Sequence, residues 1–129
     1  MLKHDDKTGL FYREELKELY VLRERSQYKN LTFKNKIFMD IGAHIGAVTN
    51  LALNNGVKKC VSYEPMPDTF EILKKNIGNK AILNQKAVVI NNKKEINFFV
   101  HHKYPSCNSI IPIKKGRKIT VTAVNFNEE

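Results

Sequence analysis

The segment IFMDIGAHIGAVT, from Ile37 to Thr49, constrains what this chain can fold into more than any other. An apolar run ends in a carboxylate, and a loop containing Gly42 and Gly46 then leads into a helical pattern. Glycines let the backbone approach a ligand closely, and a helix start offers unpaired N–H groups. Glu64 ends the next apolar run, 18 residues after Gly46, near the roughly 20-residue interval at which a carboxylate meets a ribose hydroxyl. The pattern predicts a nucleotide-type cofactor site.

Strand and helix signals alternate through the middle of the chain, which predicts an α/β fold with a parallel sheet. We expect a strand at 37–41, buried on both faces, a second at 60–63, and a third at 81–83 that either continues or breaks before 87–90. Helical spacing and stop signals predict helices after Gly46 and from Pro67 to Gly78. Later runs at 96–100 and 119–124 have no helix between them, so they should pair antiparallel.

The chain lacks repeats and low-complexity linkers, so its 129 residues are expected to form a single domain. We divide it into an N-terminal helical cover at 1–35, a cofactor-binding βαβαβ core at 36–90 and a hairpin extension at 91–129. Leu16, Leu19, Tyr20 and Arg23 follow helical spacing in the cover, and its charges should be solvated.

Composition limits the classes of function that remain. The net charge of +9 raises the alternative of a nucleic-acid-binding protein, but the lysines are dispersed. The one dense cluster of basic residues surrounds Gly116 and consists of Lys114, Lys115, Arg117 and Lys118. We interpret this cluster as a solvated hairpin tip in preference to a binding patch. The sequence contains no run of about 18 apolar residues, which is the length needed to span a bilayer. Cys60 and Cys107 have neither a metal-ligand spacing nor a disulfide framework, which fits a reducing cytoplasm.

The glycine loop itself narrows the type of cofactor. A dinucleotide fingerprint needs G-x-G-x-x-G, and the stretch from Gly42 to Gly46 lacks the middle glycine. Asp40 would sit awkwardly beside a pyrophosphate but would suit an ammonium group. The carboxyl ends of parallel strands meet at one edge of the sheet, so a ligand is expected there. The glycine loop should face the cofactor, Glu64 should accept hydrogen bonds from its ribose, and Asn84 or Gln85 should contact its base.

DIGAHIGAVT, followed at the expected spacing by YEPMPDTFEILKKNI, resembles the FkbM-type methyltransferases. The resemblance continues through QKAVVINNKKEINFFV and SCNSI, and runs from about Lys36 to the end of the chain. It implies a Rossmann-like class I fold and an enzyme that methylates a hydroxyl of a sugar or other small metabolite, using S-adenosylmethionine. It also implies a set of cofactor-binding residues: Asp40, Gly42, Ala43, His44 and Gly46 at the methionine end, Glu64 at the ribose and Gln85 at the adenine.

Members of this family continue into a D-x-x-K-x-D-x-E-G segment that has no counterpart here, so the sequence resembles the N-terminal half of such an enzyme with an incomplete fold. A non-catalytic or partner-completed remnant of the domain is therefore the main alternative.

Other polar residues are assigned no catalytic role. His101 and His102 have no ligands at metal spacing and should be solvated, and no metal site is expected. Ser106 and Ser109 could line an acceptor pocket, but ordinary loop chemistry is the favoured interpretation of both residues. No motif places a general base, so the catalytic residues stay unassigned.

Overall fold

The computed structural model describes residues 1–28, 30–101, 103–114 and 116–128. His102 and Lys115, for which the sequence predicted solvated positions, lie outside these ranges. The N-terminal segment contains β1 (Leu2–Asp5), β2 (Leu10–Arg13) and α1 (Glu18–Arg23). The central part of the fold then alternates strands and helices: β3 (Ile37–Ile41), α2 (Ala47–Asn54), β4 (Lys59–Tyr63), α3 (Pro67–Ile77) and β5 (Ile82–Asn84).

The three central strands form a parallel sheet in the order β3-β4-β5. Each successive strand is added on the same side after a crossover helix, which is the arrangement of one half of a Rossmann-like fold. The α/β fold with parallel strands first is therefore confirmed. Phe70, Leu73 and Ile77 of α3 pack with Ala43 to form a core beside this sheet, as the helical spacing predicted for α3.

The expectation that β3 is buried on both faces is wrong. β3 is an edge strand with a hydrogen-bonding partner on one side, and Ile37 and Ile41 are 72% and 52% exposed. Its central residues Phe38 and Met39 are half-buried, and Asp40 is buried. An apolar run of this length is equally compatible with an edge and a central strand, because periodicity reports side-chain character and not the number of neighbouring strands.

A second sheet follows, built from β6 (Ala87–Val89), β7 (Glu95–Val100) and β8 (Arg117–Asn125) in the order β6-β8-β7. β7 and β8 pair antiparallel, which confirms the predicted pairing of the later runs. The apolar stretch after α3 breaks between Asn84 and Ala87, and β6 leaves the first sheet to pair parallel with β8. The hairpin extension is thus joined to a strand that the sequence assigned to the core.

The N-terminal segment differs most from its prediction as a helical cover. Residues 2–13 form an antiparallel hairpin, and the helix α1 covers only Glu18–Arg23. Leu10 and Tyr12 alternate with half-buried residues along β2 and point into a core shared with Leu22, Ile45 and Ile72. The alternation in LFYR is a strand period, and it was too short to outweigh the helical spacing that follows it.

No helix within the described ranges is long and apolar enough to cross a membrane.

Candidate functional site

The glycine loop crosses the end of β4. Asp40 and Ile41 of β3 lie opposite Ser62 and Tyr63 of β4, so the two strands end level with each other. The backbone N–H groups of Gly42 and Ala43 both donate to the carbonyl oxygen of Tyr63, each at 2.9 Å. These bonds hold the loop after β3 against the residue that precedes Glu64.

Glu64 joins the glycine loop to the loop that follows β4. Its side chain is buried, with Oε2 accepting from the N–H of His44 and Oε1 from the N–H of Met66, both at 2.9 Å. Burial raises the pKa of this carboxyl to about 7, although the two backbone donors oppose the rise. Glu64 is therefore poised to gain or lose a proton near neutral pH.

A cavity of about 350 Å³ opens beside the glycine loop and Glu64, and its volume is within the usual range of small-ligand sites. It lies at the carboxyl ends of β3 and β4, the edge of a parallel sheet at which ligands bind. Of the predicted site residues, Gly42, His44 and Glu64 line it. The remaining wall comes from Lys86 between the two sheets, from Phe98 of β7 and from the loop after β7, with Ser106, Asn108 and Ser109.

Asp40 lies beneath the loop and does not line the cavity. Thr49 Oγ1 donates to Asp40 Oδ2 at 2.6 Å and is 2.8 Å from Ser62 Oγ. Burial raises the pKa of the Asp40 carboxyl, and the hydrogen bond from Thr49 partly offsets that rise. The three side chains form a buried polar chain that connects β3, α2 and β4.

The two glycines of the loop have different surroundings. Both adopt a positive φ, 81° at Gly42 and 95° at Gly46. Among the described residues, a Cβ on Gly42 would have no neighbour within 4 Å, whereas a Cβ on Gly46 would lie 2.9 Å from Leu73 Cδ1 and 3.0 Å from Ile77 Cγ1. Gly46 therefore lets the start of α2 pack against α3, while Gly42 leaves open space at the cavity. Ala43 also faces α3, in the core.

Gln85, the expected base contact, is exposed and does not line the cavity. The next residue, Lys86, occupies that position in the wall. The chain turns between β5 and β6, so successive side chains there do not follow the alternation of a continuous strand. The sequence offered no signal for this turn beyond the undecided break in the apolar run.

The far wall of the cavity is formed by an anchored loop. Ser109 exchanges two backbone hydrogen bonds with Phe99 of β7, at 2.7 and 3.0 Å, and the Asn108 carboxamide oxygen accepts from the N–H of His101. His101 is half-buried, and its Nδ1 accepts from the N–H of Tyr104 in an exposed environment, so its side chain is partly solvated. Ser106 and Ser109 are loop residues, as expected, and they also line the cavity.

His44 is the one non-glycine residue of the loop with a positive φ, at 53°. Both ring nitrogens are buried and have no hydrogen-bonding partner among the described residues, although Nε2 lies 3.4 Å from Oε1 of Glu18. That contact is too poorly aligned to count as a hydrogen bond, yet it is close enough for strong electrostatic interaction. Burial lowers the pKa of the imidazole, while Glu18 opposes the decrease and Arg13 adds to it.

Glu18 and Arg13 belong to the N-terminal segment, and sequence reasoning missed both because its charges were expected to be solvated. Glu18 is fully buried, and Arg13 binds it through the guanidinium and the backbone N–H. Arg13 also donates to Asp68 and Thr69 at the start of α3. The structure thus brings a buried ion pair against the glycine loop.

No three His, Cys, Asp or Glu side chains within the described ranges lie close enough together to hold a metal ion.

No family model matches the sequence, and no curated protein matches it. A solved structure from Listeria monocytogenes, provisionally assigned as an S-adenosylmethionine-dependent methyltransferase, aligns with 57% of this chain at 20% identity and a TM-score of 0.45. Another from Pyrococcus horikoshii, provisionally assigned as an RNA methyltransferase, aligns with 55% at 24% identity and a TM-score of 0.39. The alignments cover 35% and 33% of those chains, so this chain spans about a third of their length.

Proposed function

We propose that this chain binds S-adenosylmethionine at the cavity beside Glu64 and acts in methyl transfer, as a member of the FkbM-type methyltransferases. The proposal rests on one observation above all: the glycine loop and the carboxylate after β4 meet in a single cavity, joined by the hydrogen bond from His44 N–H to Glu64. The spacing of the DIGAHIG and YEPMP motifs, which suggested the family, supports the same cofactor.

Each part of the site has a role in this proposal. Glu64 accepts hydrogen bonds from the ribose hydroxyls, using the lone pairs that its two backbone donors leave free. Gly42 lets the backbone approach the cofactor, since no atom of the described residues lies within 4 Å of where its Cβ would be. The adenine ring lies against the segment containing Gln85 and Lys86. His44 contributes chiefly through its backbone, and Ala43 and Gly46 hold the loop against α3.

Asp40 acts on the cofactor from beneath the loop. Its carboxylate is buried and bound to Thr49, so its contribution is a negative charge that favours the cationic methionine end through a low-dielectric medium. Burial raises the pKa of Asp40, whereas a nearby cation would lower that pKa and favour the ionised form. We propose that Asp40 and the cationic end of the cofactor stabilise each other's charges.

We propose further that the methyl acceptor is a hydroxyl group of a small metabolite, such as a sugar. S-adenosylmethionine supplies an electrophilic methyl group, and the protein must hold the acceptor oxygen in line with it. The polar wall formed by Ser106, Asn108 and Ser109 supports a hydroxylated acceptor, because hydroxyl and carboxamide groups can pair with sugar hydroxyls.

The direct test is a thermal-unfolding assay with S-adenosylmethionine. We expect millimolar cofactor to raise the midpoint of the wild-type protein, because a ligand that binds the folded state stabilises it by mass action. Asp40→Ala and Glu64→Ala should lose this protection. Glu71→Ala is the matched control, since Glu71 is an exposed carboxylate on α3 that pairs with Lys74 and does not line the cavity. A folded wild-type protein whose midpoint does not move would refute cofactor binding by this chain.

A partner-completed domain is the second candidate, and the open edge of β3 favours it. The outer side of β3 has no paired strand within the described ranges, and Ile37 and Ile41 are exposed there. Long apolar edges are usually covered in stable sheets. In this case cofactor protection would be weak for the chain alone and would increase when the completing polypeptide is present.

A further inference from the structure

Glu18, a buried acid of the N-terminal segment, lies directly behind the glycine loop. Glu18 Oε2 accepts from the backbone N–H of Arg13 at 2.8 Å, and Glu18 Oε1 accepts from Arg13 Nη2 at 2.5 Å. Arg13 is in turn fixed to α3, through Asp68 Oδ2 at 2.8 Å and Thr69 Oγ1 at 3.0 Å. Glu18 therefore has a fixed position relative to both β2 and α3.

The side chain that faces Glu18 from the loop is the imidazole of His44. Burying an imidazole without hydrogen bonds is unfavourable, and a carboxylate oxygen of Glu18 lies only 3.4 Å from its Nε2. A small rotation of the ring would complete that bond. Functional hydrogen bonds are often long in ligand-free structures and shorten when the ligand binds.

We propose that Glu18 is the hydrogen-bond acceptor for His44 Nε2–H, and that it positions the cofactor loop through this ring. The consequence for the site follows from connectivity. The N–H of His44 donates to the carboxylate of Glu64, which we propose binds the ribose. A contact that fixes the His44 ring and its left-handed backbone therefore also fixes the position of this donor. Glu18 is then a positioning residue that never touches the cofactor. This inference rests on the proposed function for its effect on affinity, but not for the contact itself.

The charged groups around the ring define what can be measured. Glu18 faces His44 from α1, Arg13 from β2 and Asp68 from the start of α3, while Glu64 binds its backbone N–H. Removing the negative charge of Glu18 leaves the positive charge of Arg13 beside the ring. The charged imidazolium should therefore become less favourable when Glu18 is neutralised.

Asp5→Asn supplies a matched control within the same segment. Asp5 is also a buried carboxylate with an arginine partner, Arg23 at 2.6 Å, and it accepts from Thr8 Oγ1. It makes no contact with the glycine loop among its hydrogen bonds and ion pairs in the described ranges. General weakening of the N-terminal segment would affect both variants, whereas positioning of His44 would be lost only with Glu18.

The first experiment measures the ring of His44 by nitrogen-resolved NMR without any ligand. In the wild type we expect the Nε2–H tautomer. In Glu18→Gln the amide oxygen can still accept the bond, so the tautomer should be kept while the pKa of His44 falls by about half a pH unit or more. Asp5→Asn should leave both unchanged. Identical titration of His44 in the wild type and Glu18→Gln would overturn the proposal.

The second experiment measures affinity for S-adenosylmethionine by calorimetry. Glu18→Ala should weaken binding about tenfold, Glu18→Gln should recover most of the loss, and Asp5→Asn should change affinity less than about twofold. Equal losses in Glu18→Ala and Asp5→Asn would overturn positioning. If Glu18→Ala does not fold, the ring titration of His44 in Glu18→Gln and Asp5→Asn still decides, because only Glu18→Gln should change it. A wild-type protein that binds no cofactor would refute the proposed function, while the ring titration would still decide the contact.

Discussion

At the scale of single residues, Gly42 and Gly46 show how one motif combines two requirements. Gly46 has both a positive φ and neighbouring side chains where a Cβ would lie, while Gly42 has the positive φ alone. The sequence pattern predicted that the backbone approaches a ligand at both glycines. The packing of Gly46 against Leu73 and Ile77 could not be predicted, because it depends on how α2 and α3 cross.

Gly46→Ala should destabilise the protein more than Gly42→Ala. We expect a loss of about 2–4 kcal/mol at Gly46, from backbone strain together with overpacking against α3. Gly42→Ala should cost about 1–2 kcal/mol, from backbone strain alone. Urea denaturation of the two variants measures both values. Equal losses would mean that the side chains around Gly46 yield without cost.

Glu64 should make the stability of the fold depend on pH. Its pKa is about 7 in the folded protein and 4.5 in an unperturbed carboxyl, so the folded state holds this proton through a range where the unfolded chain has released it. The free energy of unfolding therefore falls as the pH rises from 4.5 to about 7, by on the order of 3 kcal/mol from this group.

Glu64→Gln should remove this part of the pH dependence. The measurement is urea unfolding of wild type and variant across the same pH range, compared by slope, because the substitution also changes the hydrogen bonds to His44 and Met66. Parallel curves for the two proteins would contradict the raised pKa. Burial of Asp40 adds a fall in the same direction, which both proteins share.

At the scale of elements, Asn76 of α3 bonds to the backbone of the N-terminal hairpin through its side chain. Asn76 accepts from the N–H of Phe11 at 2.7 Å and donates to the carbonyl of Phe11 at 3.0 Å, as a neighbouring strand would. It also donates to the carbonyl of Ile45 in the glycine loop at 2.7 Å. A single carboxamide thus connects β2, α3 and the glycine loop.

Asn76→Ala should cost about 1–3 kcal/mol, because it leaves backbone groups of Phe11 and Ile45 without partners in a partly buried environment. Hydrogen exchange should show faster exchange at the Phe11 amide. Asn55→Ala is the control, since the Asn55 carboxamide bonds to Leu51 within its own exposed helix end, and should cost less than about 0.5 kcal/mol. Unchanged exchange at Phe11 would show that the hairpin is held by other contacts.

The elements that the sequence predicted well are those whose signals are local. Pro67 at the start of α3, Gly78 after it, and the apolar face between them specify that helix without reference to the rest of the chain. The meeting of the glycine loop with Glu64 also follows from local signals, because parallel strands end at one edge. The pairing of β6 with β8 and the burial of Glu18 depend on distant residues, so no periodic pattern reports them.

At the scale of the whole molecule, the cavity lies between two sheets that the chain builds in succession. The first sheet supplies the glycine loop and Glu64, and the second supplies Phe98 and the anchored loop with Asn108 and Ser109. A ligand bound there contacts both sheets. Its binding should therefore stabilise the parts of the chain together, which gives the proposed cofactor a structural effect as well as a chemical one.

The most direct test of the central claim is an NMR titration with S-adenosylmethionine that follows the backbone amides of the whole chain. We expect the largest shifts at Gly42, His44, Glu64 and Lys86, which surround the cavity. An absence of shifts at saturating cofactor would contradict the account. So would shifts confined to the separate groove between α1 and α2, around Arg23, Ser26 and Phe33.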